Sequence, residues 1–148
     1  MAKIYFAGPL FNDAEKAFNA ALTQQLEQLG FAVFLPQRDG VESNQAPYCT
    51  MTPEKRRQVL FELDRDQVLS CDIFLFILDG RVPDEGAALE LGIAYTDRLL
   101  RNKNRRLLGL QTDIRAAFLK SRLNPMLKVP LDNIFMSQKD LLCYLKDL

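Results

Sequence analysis

Glu90 is a carboxylate that its own neighbours do not explain. Three and four residues to either side along a helix lie Gly86, Ala87, Ile93 and Ala94, a mostly small and apolar face. Burying an unpaired carboxylate costs several kcal/mol. A glutamate in that setting is therefore paired, protonated or at work, unless the side chain simply turns to solvent beside a helix that packs through its small residues. Just upstream, Ile73-Phe74-Leu75-Phe76-Ile77-Leu78 is an unbroken apolar run that reads as a strand buried on both faces. Pro83-Asp84-Glu85-Gly86 follows as a break and an acidic helix opening. A strand, a loop and a helix start are where open α/β sheets place ligands. The chemistry open to such a carboxylate is that of a general acid, a general base or a nucleophile.

Composition narrows the choice. The chain has no histidine, which removes Ser-His-Asp and Cys-His catalysis, histidine metal ligands and histidine proton shuttles together. Carboxylates and tyrosine remain as acid, base or nucleophile. The 148 residues suit one domain, with the 48% hydrophobic and 26% charged residues of an ordinary globular protein. With 19 basic and 19 acidic residues the net charge is zero, so no global field favours nucleic acid or a membrane surface. Apolar runs are too short to cross a bilayer, and no signal-peptide pattern opens the chain. Cys49, Cys71 and Cys143 are odd in number and widely spaced, which suits a reducing cytoplasm and neither a disulfide framework nor a zinc site. No metal is expected.

Five strands and the helices between them must position these groups. Lys3 to Ala7 is the first strand, ended by Gly8-Pro9. A helix runs from about Asp13 to Leu29 with Phe18, Ala21, Leu22, Leu26 and Leu29 on its inner face, and Phe31 to Leu35 is the second strand. Pro36 to Thr52 lacks periodicity and reads as a binding loop or lid. A helix opens at Thr52-Pro53-Glu54 and runs to about Ser70. After the central strand and the motif helix come a strand at Arg106 to Leu110, a helix at Thr112 to Lys120, a weak strand at Asn133 to Phe135 and a helix from Gln138 to Leu148. Alternating strands and helices predict a single-domain α/β fold, a parallel sheet of about five strands in flavodoxin-like order sandwiched by helices. Arg98, Arg101, Lys103, Arg105 and Arg106 read as a solvated helix end rather than a nucleic-acid patch, since no aromatics are interleaved.

Asp84-x-Gly86-x-x-x-Glu90-x-Gly92 after a buried strand, together with Lys3-Ile4-Tyr5-Phe6-Ala7-Gly8-Pro9, resembles the nucleoside 2-deoxyribosyltransferase family. The resemblance spans Tyr5 to Met126. It implies that Glu90 is the nucleophile, that Tyr5 hydrogen-bonds it, and that Asp84 contacts or protonates the base. It further implies a substrate-binding set of Gly8, Phe11, Asp64, Asp84, Asn124 and Met126, to which Gln37, in the lid-like loop, adds an amide with paired donor and acceptor. Phe11 would stack on the base and Gln37 would read its edge. Asn124 and Met126 would reach the sugar from a neighbouring subunit, giving a homo-oligomer with shared sites, built from dimers into a tetramer or hexamer. No cofactor is implied, and the partners are 2'-deoxynucleosides and free nucleobases. One departure is Ala87, where the family commonly has threonine.

Each of these positions also has a plain structural reading. Tyr5 can be a strand residue with a wet hydroxyl, Asp84 an ordinary N-cap, Phe11 a cover for a helix, and Asn124-Pro125 a turn. Asp66 competes with Asp64 for the site. The expected activity is base exchange between a 2'-deoxynucleoside and a free purine or pyrimidine through a deoxyribosyl-Glu90 intermediate. The alternatives are hydrolysis of 2'-deoxynucleoside 5'-monophosphates and a non-catalytic nucleoside-binding module. Phosphate recognition asks for Ser, Arg and Gly donors after the first strand, and Pro9-Leu10-Phe11-Asn12-Asp13 does not supply them.

Overall fold

The computed structural model describes residues 1–113 and 123–148. Strands β1 (Lys3–Ala7), β2 (Ala32–Phe34), β3 (Ile73–Ile77), β4 (Arg106–Leu110) and β5 (Asn133–Phe135) form one sheet in the order β2-β1-β3-β4-β5, every pair parallel. This is the expected flavodoxin-like order, with its reversal between β1 and β3. Helix α1 (Asp13–Gln28) connects β1 to β2, α3 (Pro53–Ser70) precedes β3, and α4 (Glu85–Arg101) connects β3 to β4. The segment after β2 holds the one-turn helix α2 (Pro36–Asp39) and a 3-10 turn at Tyr48–Thr50, elements too short to leave a periodic signal. A second one-turn helix, Pro125–Lys128, follows the turn expected at Asn124-Pro125, and Gln138–Lys146 is the terminal helix. Thr112 and Asp113 are not helical, and the rest of the helix expected from Thr112 to Lys120 lies outside the described residues.

The two-residue period of β1 sorts its side chains. Ile4 and Phe6 enter a core with Leu22 and Leu26 of α1 and Leu141 and Leu145 of the terminal helix. Tyr5 and Ala7 enter the opposite core, with Val68 of α3 and Ala87, Leu91 and Ala94 of α4. That parity puts the Tyr5 phenol on the same side of the sheet as Glu90. At the end of β1, Gly8 has φ +156, and a Cβ there would lie 2.8 Å from Ile77 Cβ, so only glycine lets the chain leave the sheet this close to β3.

Two expectations change. The inner face of α1 includes Leu22 and Leu26 as predicted, but Ala21 is exposed and the polar Asn19 and Thr23 are buried instead. The basic stretch 98–106 is not a solvated helix end. Arg105 is buried and donates to the carbonyls of Cys71 (2.9 Å), Ala94 (3.2 Å) and Leu69 (2.6 Å), tying α3 and α4 to the sheet. Buried Asp97 gathers Arg101, Lys103 and Arg105 at 2.9–3.0 Å, and these cations hold its carboxyl below the usual range. Arg98 pairs with Asp132 at 2.8 Å, and Arg106 donates to the Tyr144 hydroxyl at 3.0 Å. Alternating apolar and cationic residues around a helix end conceal such a network, because spacing alone does not reveal a buried acid one turn upstream.

Candidate active site

A cleft of about 400 Å³ opens at the carboxyl ends of the strands, within the usual range for small-molecule sites. Ala7, Gly8, Ala87 and Glu90 contribute to its floor. Leu10, Phe11 and Lys16 form one wall, the segment Pro36 to Glu42 a second, and Leu60, Asp64, Asp84 and Gly86 the remainder.

Glu90 is reached from the sheet side. The Tyr5 hydroxyl donates to Glu90 Oε1 at 2.8 Å across 85 positions of sequence. Tyr5 has no solvent exposure, and its ring lies between Phe34 (5.6 Å, 13°) and Phe74 (5.7 Å, 12°). Register explains the stack, because Tyr5 pairs with Phe34 on β2 and with Phe74 on β3, so three aromatic side chains stand in a row on one face. Sequence reasoning passed over Phe34 and Phe74 as site residues. The available signal was an aromatic in each of three strands, but it needs the register to become a row.

Electrostatics follow from this burial. Desolvation raises the Glu90 carboxyl to about 7, the Tyr5 hydrogen bond opposes the rise, and the charges of Asp64 and Asp84 add to it. Desolvation likewise raises Asp64 to about 6, and burial beside Glu90 pushes the Tyr5 phenol upward, so it stays a donor. Two carboxyls raised by burial in one cleft mark it as a candidate for acid, base or nucleophilic chemistry.

The remaining expected residues divide. Asp84 does cap α4, its Oδ2 accepting from Ala87 N at 2.8 Å, while Oδ1 makes no hydrogen bond to a described residue; the two oxygens can serve separate roles. Asp64 lines the cleft, whereas its competitor Asp66 is exposed and paired with Arg65 at 2.7 Å. Gly8 lies on the floor, and Phe11, 75% exposed, stands at the mouth with its ring available. Gln37 lines the cleft with part of its amide already engaged by α1, accepting from Asn19 Nδ2 (3.1 Å) and donating to the Lys16 carbonyl (2.9 Å). Asn124 and Met126 do not reach the cleft of their own chain: Asn124 caps its short helix by accepting from Met126 N at 2.9 Å, and Met126 is 79% exposed. Lys16 and Glu42 also line the cleft without having been singled out. Among the described residues no cluster of His, Cys, Asp and Glu could hold a metal ion, and no helix is long and apolar enough to cross a membrane.

A family profile described as nucleoside 2-deoxyribosyltransferase matches residues 4–132. Among solved structures, a conserved protein from Enterococcus faecalis V583 is 28% identical, with a TM-score of 0.75 over 99% of this chain and 98% of its own. A 2-deoxyribosyltransferase from Bacillus psychrosaccharolyticus is 26% identical, with a TM-score of 0.74 over 95% of this chain and 90% of its own. A 2-deoxyribosyltransferase from Leishmania mexicana shares the fold at 20% identity, with a TM-score of 0.64 over 99% and 98% of the two chains. No curated protein matches the sequence. A family profile spanning most of the chain, over a sheet of the same architecture, places this protein in the nucleoside 2-deoxyribosyltransferase family.

Proposed function

We propose that the protein exchanges the base of a 2'-deoxynucleoside for a free nucleobase. The observation that carries this reading is the 2.8 Å bond from the Tyr5 hydroxyl to Glu90 Oε1 at the floor of a cleft sized for a small molecule. Ionised Glu90 attacks the anomeric carbon, and a glutamyl–deoxyribose ester bond forms. The glycosidic C–N bond breaks, its electron pair passing to the departing base, which takes a proton from Asp64 or from the free oxygen of Asp84. An acceptor base then attacks the same carbon through nitrogen, loses a proton to the same acid, and releases Glu90 as carboxylate. Tyr5 holds the attacking oxygen in place, and Phe11 offers an apolar face to the base.

Hydrolysis of a nucleoside monophosphate is the weaker reading. Among the described residues, Glu42, Asp64, Asp84 and Glu90 line the cleft against one cation, Lys16, with no arginine or serine. That balance repels a phosphate dianion. A non-catalytic binding module would leave unexplained why a buried tyrosine is braced by two aromatic rings against a partly buried carboxylate.

Incubation with thymidine or deoxyinosine plus free adenine tests the reading. Deoxyadenosine is the expected product, with far less free deoxyribose than exchanged nucleoside. Release of deoxyribose at the same rate with and without adenine would favour a hydrolase.

A further inference from the structure

Asn19 is an anomaly of α1. It stands in mid-helix, where asparagine is a poor helix former, and only 2% of it is exposed. A buried amide must find partners, and Asn19 finds them on two walls of the cleft. Nδ2 donates to the Pro9 carbonyl (2.9 Å), in the segment that carries Leu10 and Phe11, and to Gln37 Oε1 (3.1 Å), in α2. Gln37 Nε2 in turn donates to the Lys16 carbonyl at 2.9 Å.

Both ends of this chain of bonds are backbone carbonyls, which only accept. The Pro9 carbonyl requires the NH₂ of Asn19, so Asn19 faces Gln37 with a donor, and Gln37 must answer with its carbonyl oxygen. The Lys16 carbonyl requires the NH₂ of Gln37 from the other side. Neither amide can turn over without setting oxygen against oxygen. Of the four hydrogen-bonding positions on the Gln37 amide, two are thereby spent, and one N–H and one carbonyl lone pair remain in a fixed arrangement.

We infer that Asn19 is a positioning residue for base selection: it touches no substrate, but sets which way Gln37 presents its amide to the base. The inference rests on the proposed base exchange, because it gives Gln37 a base to read. Asn19→Asp keeps the size and removes both donors. Gln37 could satisfy the new carboxylate only by turning its NH₂ away from Lys16, which places its oxygen against that carbonyl.

The experiment compares wild type, Asn19→Asp, Gln37→Ala and the double variant, with Asn19→Ser as a second probe should the aspartate variant fail to fold. Adenine and hypoxanthine, whose six-position groups are a donor and an acceptor, are the paired acceptors. Asn19→Asp should shift the ratio of their kcat/KM values by about tenfold, mainly through KM, as loss of a hydrogen bond to the base predicts. In the Gln37→Ala background the same substitution should shift the ratio less than twofold, because Asn19 then has nothing to orient. The side-chain amide resonances of Gln37, read by ¹⁵N NMR, should show slow hydrogen exchange in wild type and lose that protection in Asn19→Asp. A structural role alone would lower every rate together at a constant ratio, and that result, or equal effects in both backgrounds, overturns the inference. A wild type that transfers deoxyribose to no base sinks the proposed reaction instead. The Gln37 resonances still judge Asn19 in that case: unchanged protection in Asn19→Asp overturns its positioning role.

Discussion

The ring of Tyr5 lies 5.7 Å from that of Phe74 and within 12° of parallel, and Phe34 closes its other face. A phenol held on both faces keeps its hydroxyl on one line, and that line ends at Glu90. Tyr5→Phe retains the stack and removes only the bond. The fold should persist, with a Tm within a few degrees of wild type. A hydrogen bond to a charged group is worth about 1.5–3 kcal/mol, so kcat/KM should fall roughly tenfold to a hundredfold. Because the Tyr5 bond favours ionised Glu90, its loss should also move the acid limb of the pH–rate profile up by about one unit. A limb that stays in place would show that the hydroxyl does not reach Glu90 in solution.

Glu90 itself couples activity to stability with opposite signs. Its folded-state carboxyl titrates at about 7 against a reference of 4.5, so the native state binds more protons between those values. Stability is therefore greatest below about pH 4.5 for this group and declines as pH rises through 7. If Glu90 acts as proposed, activity should rise over the same interval as its carboxyl ionises. Glu90→Gln should abolish transfer yet raise Tm at pH 8 relative to wild type, by a stability of the order of 2 kcal/mol, and do so far less at pH 5. Melting curves at the two pH values check this. Equal shifts at both would mean that the carboxylate is not desolvated.

Glu90→Ala should also be folded and inactive. With wild type and a donor supplied without acceptor base, intact-mass measurement should show a deoxyribosyl adduct that maps to the peptide carrying Glu90. A direct displacement would invert the anomeric configuration and leave no adduct.

The scaffold for this chemistry was legible in the sequence, and the wiring much less so. Strands β1, β4 and β5 fall at their expected limits because apolar runs bounded by Gly, Pro and Asn are local signals. Glu90 stood out locally through its small neighbours at helical spacing, although that spacing fits a solvent-facing side chain equally well and only the motif resemblance singled it out. The bracing of Tyr5, the bonds of Asn19 and the burial of Arg105 were not, since each joins residues from elements whose register or packing no single segment contains. Asn19 illustrates the difference. On a helical wheel it is a polar residue beside Phe18, and only the loop after β2, folded across α1, shows why it is buried.

Ribonucleosides should be much poorer donors than 2'-deoxynucleosides. In the proposed exchange Glu90 approaches the sugar closely enough to bond to its anomeric carbon, and the Tyr5 bond fixes that carboxylate, so a 2'-hydroxyl would have to share the space beside it. Rates for inosine and deoxyinosine measured side by side decide the point, and comparable values would contradict it.

Assembly is the last expectation, and it follows from what the cleft lacks. A covalent sugar ester survives only where water is excluded, yet in a single chain Phe11 stands 75% exposed at the mouth. Asn124 and Met126, expected beside the sugar, lie outside that cleft, with Met126 and Val129 both exposed on and just after the short helix Pro125–Lys128. Leu89, Leu99 and Leu100 of α4 are also 60–78% exposed, an apolar surface that a second copy of the chain would cover. The active unit should therefore be a homo-oligomer in which Asn124 and Met126 of one subunit complete the cleft of another. Mixing tests this directly. Glu90→Ala and Asn124→Ala subunits, each inactive alone, should regain part of the activity when dissociated and reassembled together, since some interfaces then pair an intact Glu90 with an intact Asn124. Full activity in a species that light scattering identifies as a monomer, or no recovery between variants proven to exchange subunits, would mean that each chain completes its own site.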